Sequence, residues 1–238
     1  MAAWRLLDPF YLARRGLHAG VSRASGSLQG ALLDVGCGIQ PYRALFPSCA
    51  YVGLEVLQQG RQGSGKQPDA FFNGLDIPVR SGAVDTVLCT QVLEHVFEPA
   101  RFLAELNRVL RPGGRLLLTV PFLWDEHEQP YDYARYSTFG LRHLLAQAGF
   151  DIVTHEKTLT DASVLVQLWL AYIHKVALRW PRPVRQVVRL FVVMPSNVLG
   201  RVLQIISPRS HDLFLDHVVL CVRSPDAKLS SAYTMPRP

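Results

Sequence analysis

The sequence predicts an α/β domain built on a mostly parallel sheet, and three observations carry that prediction. Five short apolar runs of strand type recur through the first half of the 238-residue chain. They are continuous rather than alternating, which suits strands covered on both faces. Helical periodicity fills the later gaps, most clearly over 97–110, where Phe102, Leu103, Leu106, Val109 and Leu110 share one face. With 49% hydrophobic and only 18% charged residues the chain can bury a sizeable core, so wholesale disorder is excluded.

In chain order, residues 1–30 read as a helical entry segment, and Gly16 to Gly20 argue against a long amphipathic helix there. The start lacks an apolar stretch followed by a small-residue cleavage site, so it does not read as a secretory signal. Strands are expected at 31–35, 51–55, 70–73, 84–89 and 115–120, with helix 97–110 stopped by Arg111-Pro112-Gly113-Gly114. An aromatic, polar loop (122–138), a helix (139–148), a sixth strand (150–158) and a last strand within 213–222 follow. The expected organisation is a core at 31–160 completed by 211–224, an insertion at 161–210 and a flexible tail at 225–238. The four cysteines match no C-x-x-C pattern and read as reduced core residues of a cytosolic protein.

Leu32-Leu33-Asp34-Val35-Gly36-Cys37-Gly38 reads as a strand running into Asp-x-Gly-x-Gly. Glycines let the backbone turn sharply and approach a ligand, while a carboxylate at a strand end faces a cationic or hydroxylated group. Glu55 closes the second strand, where it could accept two hydrogen bonds from a ribose diol. Taken singly, each residue also fits an ordinary turn or a solvated strand end. Their joint placement at the ends of successive strands favours an adenosine-containing ligand. A nicotinamide dinucleotide is disfavoured, because the third glycine is missing and Asp34 would repel a pyrophosphate.

Three further motifs complete a pattern: Leu75-Asp76-Ile77-Pro78, Val84-Asp85-Thr86-Val87 running into Val92-Leu93-Glu94-His95-Val96, and Leu110 to Leu118 around Arg-Pro-Gly-Gly. Together with the glycine turn they resemble the class I S-adenosylmethionine-dependent methyltransferases of type 11, over roughly residues 32–150. The resemblance implies a Rossmann-like three-layer sandwich, a seven-stranded sheet with a reversed last strand, and S-adenosylmethionine as cofactor. It implies that Asp34, Gly36 and Gly38 hold the methionine part and that Glu55 binds the ribose hydroxyls. Asp76 and the Ile77 backbone would face the adenine amino group, and Thr90 and Gln91 would border the methionine end. Gln40-Pro41 departs from the family, many members of which carry a third glycine there. Glu94 and His95 are candidates for contact with cofactor or substrate, unless His95 merely packs beside the fourth strand.

Methyl transfer from a sulfonium is an in-line displacement that needs alignment, a desolvated pocket and, for a hydroxyl acceptor, a base. The loop 122–138 holds the groups for it. His127 is the expected base, because imidazole titrates nearest neutral pH. Asp132 is its catalytic companion, Glu128 an alternative, and Tyr131, Tyr133 and Arg135 are candidates to shape the acceptor pocket. The competing reading is a local Asp132–Arg135 pair with the tyrosines packed on Trp124. No metal is expected, since His127, Glu128 and Asp132 lack a recognised ligand spacing.

The formal charge of +6 has one address: residues 162–209 carry seven of the 25 basic residues and no Asp or Glu. Periodicity predicts two basic helices with wide apolar faces, the second kinked at Pro195. Its polar band (Arg185, Gln186, Arg189, Ser196, Asn197, Gly200, Gln204) is expected opposite Val187, Phe191, Met194, Val198, Val202, Ile205 and Ile206. Uncharged stretches at 162–174 and 190–200 are too short to span a bilayer. Such helices suit an anionic membrane surface, with packing on the domain or on a second subunit of a homodimer as the alternative. Nucleic acid is disfavoured, because the aromatics lie away from the cations. The expected function is therefore methylation of a small or lipid-linked acceptor, at oxygen or carbon, in the cytoplasm or peripherally at a membrane. The rivals are a noncatalytic S-adenosylmethionine-binding scaffold at a membrane and a nicotinamide-dependent oxidoreductase.

Overall fold

The computed structural model describes residues 6–56 and 68–224, so the first five residues and the expected tail at 225–238 lie outside the described residues. Seven strands form one sheet: β1 (Gly30–Val35), β2 (Cys49–Val56), β3 (Ala70–Phe72), β4 (Val84–Thr90), β5 (Leu110–Pro121), β6 (Phe150–Lys157) and β7 (Asp216–Arg223). Their order is β3-β2-β1-β4-β5-β7-β6. β1 pairs in parallel with β2 and β4, β2 with β3, and β4 with β5, whereas the last strand is antiparallel. From β1 the chain first builds outward to β2 and β3, then returns to lay β4 on the other side. That reversal opens a crevice at the carboxyl ends of β1 and β4, where open parallel sheets bind ligands.

Contacts divide the chain into two compact units. One comprises Val21–Pro121, His127–Glu156 and the segment from His217 onward, and it contains nearly all of the sheet. Its core joins Leu33, Val35, Val87, Leu116 and Leu118 to Phe102, Leu103 and Leu106 of helix α2 (Pro99–Val109). Each such fully buried apolar side chain stabilises the fold by about 1.5–3 kcal/mol. Proline opens α2, where its missing N–H costs nothing. Helix α3 (Thr138–Gln147) is capped by Ser137, whose hydroxyl accepts from the Gly140 amide at 3.2 Å. β5 starts five residues earlier than expected. Leu110 already pairs with Val84, and a register shift between Val84 and Thr86 takes up Arg111 to Gly114 as a bulge rather than as a turn outside the sheet.

The other unit comprises the segment up to Gly20, Phe122–Glu126 and Lys157–Asp216. Helix α1 (Tyr11–Ser25) lies in the segment read as helical and runs through Gly16 and Gly20. Packing overrides propensity at Gly16: a Cβ there would lie 2.8 Å from Leu159 Cδ1. Helix α4 (Ser163–Ala177) is followed by α5 (Arg182–Val188), a π-helical turn (Arg189–Val193) and α6 (Met194–Ile206) without interruption. Pro195 therefore does not end the helix. The π turn directly before it changes the hydrogen-bond register where the proline offers no N–H. Arg182–Ile206 is consequently one helix of 25 residues, long and apolar enough by length and composition to cross a membrane. This corrects the shorter limits read from the sequence.

Much of the apolar face of this helix is turned outward. Val193, Asn197 and Gly200 form its buried side, whereas Phe191, Ile205 and Ile206 are 70%, 80% and 70% exposed. Asn197 Nδ2 donates to the Leu6 and Asp8 carbonyls, and a Cβ on Gly200 would collide with Leu12. On α4, Gln167 is fully buried; its Oε1 accepts from the Ala13 amide and its Nε2 donates to the Pro9 carbonyl, both at 3.0 Å. Polar side chains thus join the helices beside an apolar cluster of Leu12, Ala13, Leu159, Val164 and Leu215, while Phe191, Ile205 and Ile206 face outward. Gln167→Met, similar in volume, should cost about 2–4 kcal/mol in urea unfolding, because it strands a buried N–H and a buried carbonyl. A loss below about 0.5 kcal/mol would show that the two bonds are dispensable.

Candidate functional site

The crevice begins at the turn after β1. Gly36 and Gly38 have φ of +72° and +50°. The Gly36 and Cys37 amides donate to the Leu54 carbonyl at 2.8 and 3.1 Å, which folds the turn back over the end of β2. A Cβ on Gly36 would stand 2.3 Å from Val92 Cγ2, whereas beside Gly38 there is open space. The Gly38 amide donates to Glu55 Oε2 at 2.6 Å, so the carboxylate at the end of β2 faces the turn. Gln40 takes the left-handed conformation (φ 55°) without being glycine, and its side chain is anchored by Arg43 NH1 at 2.9 Å. The Gln40-Pro41 departure is thereby accommodated.

Asp34 is only 1% exposed and bonded to the Tyr51 hydroxyl. Its Oδ1 has no hydrogen-bond partner among the described residues. Burial raises its pKa, the Tyr51 hydrogen bond opposes this and the charge of Glu55 adds to it, leaving the carboxyl pushed up to about 7. After β4, Gln91 is also left-handed (φ 56°); its amide and Nε2 are held by the Thr119 carbonyl and hydroxyl at 2.9 and 3.2 Å. Its neighbour Thr90 pairs with Thr119. This anchoring carries Val92 over Gly36.

A cavity of about 350 Å³ lies next to these turns, with Asn73, Gly74, Leu75, Val92, His95 and Tyr133 among its walls. Asp76 and Ile77, the next residues in the chain, are not among its walls. The exposed Asp76 carboxylate is taken by Arg101 at 2.7 Å and Asn73 Nδ2 at 2.9 Å. The Ile77 amide and carbonyl are taken by Glu105 and Arg108 of α2. Asn73 instead occupies the cavity rim. Its position directly after β3, as Glu55 ends β2, was the available signal.

The loop after β5 closes over the end of β4. Tyr133 and Ala134 donate their amides to the Glu94 carbonyl at 2.8 and 3.2 Å, and His95 Nδ1 meets the Tyr131 carbonyl at 2.7 Å. Glu94 itself is fully buried. His95 and His127 stand edge to face with ring centroids 4.8 Å apart. His127 Nδ1 is 3.3 Å from Asp132 Oδ2, which also accepts the His127 amide at 2.9 Å. Arg135 grips Asp132 through two bonds of 2.6 and 2.7 Å. Burial alone would raise Asp132, but the hydrogen bonds from Arg135 and the His127 amide prevail and bring it to about 2. The expected local Asp132–Arg135 pair is thus present, and it also serves His127. Tyr133 packs edge-on against Phe97 at 5.3 Å, while Trp124 pairs with Phe10 in the other unit, so the tyrosines do not pack on Trp124.

Residues 33–118 match the family model described as a methyltransferase domain. The matched stretch supports a class I S-adenosylmethionine-dependent methyltransferase domain. It is 32% identical over 124 residues to the human thiol S-methyltransferase TMT1B, a match covering 47% of this chain and 48% of that protein. It is 35% identical over 124 residues to an uncharacterised 37.1 kDa protein in transposon Tn4556 of Streptomyces fradiae, covering 47% and 36%. The chain thus spans less than half the length of these relatives. Among solved structures it resembles phosphoethanolamine N-methyltransferase 2 of Haemonchus contortus, bound there to S-adenosyl-L-methionine, with a TM-score of 0.53 and 14% identity over 87% of this chain and 52% of that one. S-adenosylmethionine is the cofactor of this methyltransferase domain, and the nicotinamide alternative gives way.

Because Asp34 holds its proton to about pH 7 in the fold against an ordinary value of 3.8, the folded chain binds that proton more tightly than the unfolded one. Its ionisation therefore erodes stability as pH rises from about 4 to about 7, with no further loss above. Without added cofactor, Asp34→Asn should gain on the wild type by several degrees in melting temperature between pH 5 and pH 8. An offset that is the same at both values would show that Asp34 does not titrate in this window.

Proposed function

We propose that this domain transfers the sulfonium methyl of S-adenosylmethionine in line to a hydroxyl of a small or lipid-linked acceptor seated in the cavity beside His95 and Tyr133. The observation that carries this reading is the chain of contacts Arg135–Asp132–His127–His95 at the cavity edge. An ionised carboxylate behind an imidazole fixes its orientation, the arrangement that proton removal from an acceptor requires. His127 is then the residue on which loss of the acceptor's proton depends, and Asp132 positions it. A thiol acceptor is the second reading, favoured by the name of the human relative.

The residues of the crevice suit the cofactor. Glu55 presents its carboxylate at the glycine turn, where ribose hydroxyls would replace the Gly38 amide as donors. Asp34 offers one unpartnered buried oxygen, and a nearby ammonium would favour its ionised form. Gly38 leaves space for the methionine part while Gly36 admits Val92, Thr90 and Gln91 fix the rim opposite, and Asn73, Gly74 and Leu75, running into Asp76 and Ile77, take the adenine side. Tyr131, Tyr133 and Arg135 shape the acceptor side. When bound, the cofactor supplies an electrophilic methyl whose positive charge disperses in the transition state.

We further propose that the second unit rests on an anionic lipid surface through the Arg182–Ile206 helix and α4. Phe191, Ile205 and Ile206 stand outward at 70% exposure or more, Trp169 and Tyr172 stack at 6.0 Å on the exposed side of α4, and Lys175, Arg179, Arg182, Arg185 and Arg189 supply cations. An apolar surface of this kind rimmed by basic residues fits the interface of anionic phospholipid.

Incubation with candidate acceptors should release S-adenosylhomocysteine, and His127→Ala should lower kcat by about 10²–10⁴-fold with little change in cofactor affinity. Unchanged turnover would remove His127 from the mechanism. The chain should float with phosphatidylglycerol vesicles at low salt and not with phosphatidylcholine alone, and a Phe191→Glu, Ile205→Glu double variant should stay in the pellet fraction. Absence of flotation at low salt refutes the membrane reading.

A further inference from the structure

Glu94, His95 and His127 converge more closely than methyl transfer by itself requires. One ligand atom from each lies within 4.8 Å of the others. His95 Nδ1 faces the Tyr131 carbonyl at 2.7 Å, and His127 Nδ1 stands 3.3 Å from Asp132 Oδ2 and 3.4 Å from Arg135 Nη2. The acceptor at His95 Nδ1 places the ring proton there and leaves its Nε2 lone pair for a ligand, the usual outer-shell arrangement around metal-bound histidine, and a His127 proton turned to Asp132 does the same. His95 Nε2 stands 3.9 Å from Glu94 Oε1, and that carboxylate is fully buried. Two histidines and a carboxylate with a further position open is a donor set of catalytic Zn²⁺ sites.

We propose that Glu94, His95 and His127 bind one divalent cation of the Zn²⁺ class, whose open position takes the acceptor's oxygen or sulfur. This rests on the methyl-transfer reading and specifies how His127 serves it. Bond lengths of about 2.0–2.1 Å place ligand atoms about 3.3 Å apart around a tetrahedral centre, so the loop carrying His127 must draw in by about 1 Å or slightly more. On coordination the acceptor gives up its proton to solvent. Its freed lone pair then forms the bond to the methyl carbon while the carbon–sulfur bond breaks, and the electron pair stays on S-adenosylhomocysteine.

Titration of the full chain with Co²⁺ tests the site without any turnover. One ion per chain should bind, with the visible absorption of a low-coordinate nitrogen and oxygen site. The thiolate charge-transfer band that Cys37, Cys49, Cys89 or Cys221 would produce should be absent. Asp132→Asn should weaken binding by about 10–100-fold through the outer shell, and His127→Gln, on a partly exposed loop, should abolish the visible bands while the chain still binds S-adenosylmethionine. Cobalt binding that is absent, thiolate-ligated or unchanged in His127→Gln overturns the proposal. Turnover that survives chelation would overturn the catalytic use of the ion and leave methyl transfer standing. Cobalt binding with no methyl transfer to any acceptor would instead defeat the functional reading and leave the site.

Discussion

The carboxyl edge of the sheet depends on one close approach, that of Gly36 to the side chain of Val92. β1 must turn with φ of +72°, and a Cβ there would lie 2.3 Å from Val92 Cγ2. The approach is possible because Gln91, itself left-handed, is pinned to Thr119 of β5 by two hydrogen bonds. The glycine turn is held from the other side by the Leu54 carbonyl at the end of β2. Four adjacent strands, β2, β1, β4 and β5, thus position a single turn, and the switch in strand order between β1 and β4 supplies the crevice into which it opens. Any residue larger than glycine at position 36 would push apart the two loops that form the site.

The same geometry explains which parts of the site were legible. Asp34, Gly36, Gly38 and Glu55 are local to strand ends, and a short continuous apolar run followed by glycine announces a strand end whatever the tertiary context. Their order of appearance reveals the sheet. The partners of these carboxylates were not legible. Arg101 reaches Asp76 from α2, and Tyr51 reaches Asp34 from β2, and neither meeting has a signature in the local sequence.

The loop after β5 was legible in content and not in partnership. Its density of His, Asp, Tyr and Arg marks chemistry, and the Asp132–Arg135 spacing is visible in the sequence. The meeting of His127 with Glu94 and His95 is not, since over thirty residues and a whole strand separate them. Metal ligand sets are recognised from sequence only when spacing on one element repeats, as in paired cysteines. Here two ligands come from the short helical turn after β4 and the third from a loop, brought together by two backbone amides that bind the Glu94 carbonyl.

The basic insertion shows where amphipathic reasoning stops. A helical wheel identifies which residues share a face, but it assigns the apolar face to the core by assumption. In the Arg182–Ile206 helix the assumption fails, because the N-terminal segment offers backbone carbonyls and a leucine rather than an apolar groove. Asn197 answers the carbonyls, Gly200 lets Leu12 approach, and the apolar residues are left outside. Leaving so many large apolar side chains in water costs free energy unless something else covers them. The charge of +6 points to what that is: with the insertion's seven cations set aside, the remainder of the chain is nearly neutral. The excess positive charge and the uncovered apolar surface thus belong to one short stretch of chain. Their coincidence favours an anionic amphiphilic surface over a second protein, for which an apolar face alone would suffice.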